Sequence, residues 1–134
     1  MQSENENTTP RLFDRPPRTW KRKFHDAFSG LGQSVQQQSS YRVHFLFAIL
    51  VIICGIALGM DCVRWSVLVL CITVVLAGEM LNTSIETLAR AITLNYDEHI
   101  AKALNIASGA ILVLSIGAAI IGLAIFGEAL LNLL

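Results

Sequence analysis

Beyond Lys102 the chain carries no lysine or arginine, and over all 134 residues only 15% are charged while 54% are hydrophobic. That balance excludes an ordinary soluble globular domain, which is far less apolar. The lysines and arginines equal the aspartates and glutamates at ten each, so net charge says little about partners; no nucleic-acid partner is expected. Cysteine is also scarce. Cys54 and Cys71 fall within apolar runs and only Cys62 sits between them, a spacing that suits neither a metal site nor a disulfide framework, so all three read as apolar filler. All three prolines, Pro10, Pro16 and Pro17, lie in the first seventeen residues. Those first residues are polar and the first apolar run begins far from the start, so no cleavable signal peptide is expected and the first span acts as its own insertion signal.

Three long apolar runs remain, and they predict an all-α integral membrane protein. The spans are expected over about 44–60, 65–88 and 104–126, each near the roughly 20 residues that a helix needs to cross a bilayer. The distribution of the few cations orients them. Arg11, Arg15, Arg18, Lys21, Arg22, Lys23 and Arg42 precede the first span, Arg64 alone follows it, and Arg90 and Lys102 lie between the second and third. The positive-inside rule then places the N-terminus and the second loop in the cytoplasm and the C-terminus outside, in a multi-pass protein of the cell (inner) membrane.

Ahead of the spans, residues 1–19 are polar, with little to bury, and predict a disordered cytoplasmic tail. From Trp20 the pattern changes: Trp20, Phe24, Ala27, Phe28, Leu31 and Val35 recur at helical spacing with Lys21, Arg22, Lys23 and His25 largely off that stripe. An amphipathic helix is expected over about 20–36, at the cytoplasmic interface with its cations near anionic headgroups or packed on the bundle. Gly30 and Gly32 weaken it and mark a bend or a close approach to a ligand. Asp61-Cys62-Val63-Arg64 is expected as a tight turn between antiparallel neighbours, and residues 89–102 as a polar cytoplasmic loop. In the third span, Ala107 to Ala110 and the pair Ala118 and Gly122 have the small-residue spacing that allows close helix approach.

The most informative stretch is Gly78-Glu79-Met80-Leu81-Asn82-Thr83-Ser84-Ile85-Glu86. An acidic side chain at the bilayer centre costs on the order of 2.5–3.5 kcal/mol on insertion scales, so a glutamate in a span marks a functional site by default. At about 100° per residue, Glu79 and Glu86 differ by roughly 20° around a helix, with Asn82 within about 60° of both. All three share one face. The rise of about 1.5 Å per residue sets the two glutamates roughly 10.5 Å apart, too far to share one small cation, so they are expected to do different jobs. Three chemistries suit such a cluster: phosphoryl transfer to a hydroxyl with magnesium on nucleotide phosphates, ion or proton translocation, and a polar clasp between subunits. The polar loop beside Glu86 favours a site with a soluble substrate.

The E-x-x-N-x-x-x-E core of Glu79, Asn82 and Glu86, preceded by Val74-Val75-Leu76-Ala77 and followed by a tyrosine-containing loop, resembles the signature of the prokaryotic diacylglycerol kinase and undecaprenol kinase family. The similarity runs from about Phe24 to about Ile125 and takes in Tyr41-Arg42-Val43-His44 and Ser108-Gly109-Ala110. The resemblance implies a three-span homotrimer that moves the γ-phosphate of MgATP to a lipid hydroxyl, of diacylglycerol or undecaprenol, at the cytoplasmic interface. By the same resemblance Glu79 is the catalytic base, Asn82 and Arg42 position substrate or phosphate, and Glu86 ligands Mg2+. Three family positions are degenerate here. A second metal-binding glutamate falls on Gln38, and a Lys-Asp pair that contacts phosphate falls on Leu104-Asn105; glutamine is a neutral ligand and leucine cannot neutralise phosphate. Lys102 lies about half a turn earlier. The alternatives are a catalytically weakened homologue that binds lipid or nucleotide, which the degenerate positions favour, and a small cation pore or transporter subunit, against which Asn82 and the loop weigh.

Overall fold

The computed structural model describes residues 19–37 and 39–132, in four α-helices with no strand among them. The tail expected over 1–19, apart from Thr19, and the degenerate position Gln38 fall outside those residues. Helix α1 spans Trp20–Gln37, α2 Ser39–Ala57, α3 Cys62–Ile92 and α4 Glu98–Leu131. The last three are long and apolar enough to cross a membrane. The expected architecture of three spanning helices behind an N-terminal amphipathic helix therefore stands.

Helix α1 runs unbroken through Gly30 and Gly32. Trp20, Phe24 and Phe28 are exposed along one side, and the Lys23 Nζ lies 4.6 Å from the centre of the Trp20 ring. An ammonium over an indole suits a helix whose aromatic face meets lipid while its cations stay near headgroups. The helix packs against both α2 and α3.

The first turn between spans lies at 58–61, three residues earlier than the sequence reading put it. Gly59 stops α2 by taking φ +61°, a conformation that costs glycine nothing. Its N–H donates to the Ile56 carbonyl, and the Met60 N–H donates to Gly55, the paired bonds that satisfy a helix C-terminus. Asp61 then opens α3, its Oδ1 accepting from the Val63 and Arg64 N–H groups at 2.9 and 3.0 Å. Cys62, Val63 and Arg64 are thus the first turn of a helix, because an aspartate with two N–H groups in reach nucleates one. The second connection is also shorter than expected. Only residues 93–97 are non-helical, with Asp97 capping α4 as Asp61 caps α3.

Helix α3 is the centre of the bundle and touches the other three helices. Its buried residues Leu68, Val75, Glu79 and Thr83 form one stripe, and those of α2, Tyr41, Ala48 and Gly55, fall at intervals of seven. Those two stripes make the α2–α3 seam. Against α4 the close contact is Gly78, where a β-carbon would stand 2.8 Å from Leu114 Cδ1 and 3.0 Å from Ile111 Cδ1. At Gly109 and Gly122 of α4 no close approach is made among the described residues, since a β-carbon there would meet nothing within 4 Å. At the far end of the bundle Arg64 joins α3 to α4, its Nη2 donating to Glu128 Oε1 at 2.7 Å while Nη1 lies 3.1 Å from Asp61 Oδ2.

Candidate functional site

Glu79 lies on the stripe that α3 turns toward α2, and its carboxylate is almost wholly enclosed, with 4% of the side chain exposed. A carboxylate so placed needs a donor, because an unpaired buried charge is costly. His44 provides it from α2, with Nε2 3.1 Å from Glu79 Oε1. The backbone at Glu79 is tied as well: its carbonyl accepts from the Thr83 hydroxyl at 2.9 Å.

One turn further along α3 a second polar group begins. The Asn82 Nδ2 donates to Glu86 Oε1 at 2.9 Å, and the Arg90 guanidinium lies 3.6 Å from Glu86 Oε2. Residues 82, 86 and 90 are four apart, the interval at which side chains on a helix meet. The Asn82 Oδ1 is buried with no hydrogen-bond partner among the described residues. Such an oxygen calls for a donor or a cation. The two glutamates thus have distinct sets of partners, His44 for Glu79 and Asn82 and Arg90 for Glu86.

Two cavities flank these residues, each of about 480 Å³. Between α1 and the Thr83–Ala91 part of α3, one is lined by Gly30, Gln33, Ser34, Thr83 and Thr87. The other is an apolar groove among α2, α3 and α4, with His44 on its wall and Ser115 and Phe126 on the α4 side. The Ser115 hydroxyl in that wall is buried without a partner among the described residues.

Other expected residues stand apart. Arg42 is exposed on α2 and makes no hydrogen bond or ion pair among the described residues. On the second turn of α4 Leu104 is half-buried and Asn105 exposed, with Lys102 exposed before them. Sequence reasoning gave His44 no role beyond opening a span. A titratable residue at the start of an apolar run was the available signal, but the pairing of residues 44 and 79 depends on how α2 crosses α3.

No group of three or more His, Cys, Asp or Glu side chains able to hold a metal occurs among the described residues. Magnesium is commonly held by one or two carboxylates together with substrate phosphates and water. Glu86 beside the orphaned Asn82 oxygen fits that kind of site.

The sequence model of the family described as prokaryotic diacylglycerol kinase matches residues 25–126, from α1 into the last turns of α4. The chain is also 30% identical over 105 residues to the undecaprenol kinase of Bacillus subtilis (strain 168), an alignment covering 78% of this chain and 85% of that protein.

Proposed function

Because the chain belongs to the prokaryotic diacylglycerol kinase family, we propose that it is a multi-pass membrane enzyme transferring the γ-phosphate of ATP to the hydroxyl of a membrane lipid, diacylglycerol or undecaprenol. The observation that carries this reading is the enclosed Glu79 carboxylate, held by His44 one turn from the Asn82–Glu86 pair. Phosphoryl transfer asks a protein mainly for positioning and electrostatic support. Glu79 accepts the proton of the lipid hydroxyl as that oxygen bonds to the γ-phosphorus, the bond to the bridging oxygen breaks, and ADP leaves. A base so placed contributes roughly 10²–10⁴-fold.

Glu86, with the Asn82 oxygen that has no partner among the described residues, would hold the magnesium that travels with the nucleotide, and that ion would offset phosphate charge. Arg90 and Arg42 bring positive charge to the same end of the bundle, and the cation distribution supports a cytoplasmic position for this end. A homotrimer is supported by Gly109, Gly117 and Gly127 of α4, where an added β-carbon would meet nothing within 4 Å among the described residues, an openness that suits helix approach in a membrane. Weakened turnover is a second reading, favoured by one observation: at the start of α4 a half-buried Leu104 and an exposed Asn105 stand where a phosphate-contacting pair is implied.

The test is transfer of labelled phosphate from ATP by the purified protein in lipid vesicles, with diacylglycerol and undecaprenol supplied in parallel. Labelled lipid in one arm is the expected result. Nucleotide binding without transfer to either lipid supports the weakened reading, and neither binding nor transfer overturns both.

A further inference from the structure

We propose that His44 is the positioning residue for the base: its imidazole fixes one oxygen of the Glu79 carboxylate, so that the other is held toward the acceptor hydroxyl. The inference rests on the kinase reading of Glu79 and adds to it a residue from a different helix.

Three observations carry it. First, the contact is the one donor that reaches the Glu79 carboxylate among the described residues, with Nε2 to Oε1 at 3.1 Å. An ionised carboxylate only accepts, so the hydrogen lies on Nε2, where both the neutral and the charged imidazole can carry it. Second, the placement follows from α2 itself. Tyr41, Ala48 and Gly55 are its buried residues, and position 44 is three after the first and four before the second, on the same face of the helix. Tyr41 is only 2% exposed, so the turn that carries His44 is anchored in the bundle. Third, His44 faces two ways. Its ring lines the apolar groove among α2, α3 and α4 while its Nε2 meets Glu79, so it stands between an apolar channel and the base. Cys71 is the other titratable side chain on the groove wall, and no charged side chain of α4 lines it.

A glutamate side chain has three rotatable bonds, and in an apolar site with no donor nothing selects the rotamer that faces the acceptor. Misplacement by about 1 Å costs on the order of 10²-fold in rate. The effect belongs to the chemical step and not to nucleotide binding, because Asn82 and Glu86 have their own partners.

The experiment compares the parent, His44→Gln and His44→Leu in lipid vesicles, measuring kcat, KM for ATP and the unfolding temperature of each. Glutamine keeps an N–H donor near the place of Nε2; leucine keeps apolar bulk and loses the donor. Positioning requires His44→Leu to lose about 10²-fold in kcat with KM for ATP within about twofold of the parent, and His44→Gln to recover at least about tenfold of that loss. If His44 serves packing alone, the order reverses and leucine equals or exceeds glutamine, which overturns the inference. A loss confined to KM overturns it as well. An inactive parent is a different result: it removes the kinase reading itself, and the inference with it. Should leucine prevent folding, the comparison of glutamine with the parent in kcat and KM still decides, since a glutamine variant that folds but loses as much as Glu79→Gln contradicts a donor role.

Discussion

The indole of Trp65 lies against Gly55, so closely that a β-carbon on that glycine would stand 3.0 Å from both Cη2 and Cζ2 of the ring. Two helices meet there just inside the first turn, one residue lacking a side chain and the other with the largest one.

Gly55→Val should therefore destabilise the chain by about 1–3 kcal/mol, the usual cost of overfilling a packed site, in spite of the better helix propensity of valine. Thermal unfolding in detergent reads the loss. In a Trp65→Leu background the same substitution should cost much less, and an equal cost in both backgrounds would place the strain somewhere other than the ring.

At the same end, the Asp61 carboxyl is held below its ordinary value of 3.8, first by the hydrogen bond from the Arg64 backbone N–H, then by that of Val63 and the Arg64 charge, with partial desolvation opposing. A depressed folded-state value means that the contribution is present above the unfolded value and fades as pH falls through the folded one. Stability should thus decline below about pH 4. Asp61→Asn, which still caps a helix, should remove this part of the acid dependence. An unchanged profile from pH 5 to pH 2 would assign the decline to other carboxylates.

Glu79 and Glu86 should be separable by mutation. Glu79→Gln keeps an acceptor for His44 but cannot take a proton, so turnover should fall by roughly 10²–10⁴-fold with ATP affinity nearly unchanged. Glu86→Gln should instead raise the magnesium needed for half-maximal rate. Equal losses that excess magnesium does not relieve would point to a structural clasp.

Orientation is open to chemical labelling. Cys62 is exposed at the start of α3 and should react with an impermeant thiol reagent in intact cells. A cysteine introduced in the loop at 93–97 should be shielded until the cells are opened. The reverse pattern would turn the protein over and take the cytoplasmic site with it.

Much of this arrangement was legible in the sequence because helical periodicity is a local property. Glu79, Asn82 and Glu86 share a face of any α-helix, and the three apolar runs needed only their lengths. The turn was misplaced because hydropathy runs smoothly through Gly59 and Met60, whereas the chain is stopped by the backbone freedom of one glycine and restarted by the carboxylate of Asp61. The His44–Glu79 contact spans 35 positions and depends on the crossing of α2 with α3, which no local pattern encodes. The small residues of α4 were legible as a packing face, but the partner of α4 within the chain turned out to be Gly78, met by Leu114 and Ile111.

Helix α3 has 31 residues, which at about 1.5 Å each makes it roughly 46 Å long against a hydrocarbon layer of about 30 Å. With its Cys62 end at one boundary, Glu79 lies roughly 25 Å along the axis and Glu86 roughly 36 Å. On that placement an upright helix would put the two carboxylates on opposite sides of the far boundary, the first still among acyl chains and the second among headgroups. The hydroxyl of a membrane lipid resides at that same boundary, so on the proposed function the length of one helix would set the depth at which lipid and nucleotide meet. For the proposed reaction bilayer thickness should then act as a control: thicker membranes should draw Glu86 toward the oil, and thinner ones should lift Glu79 toward water.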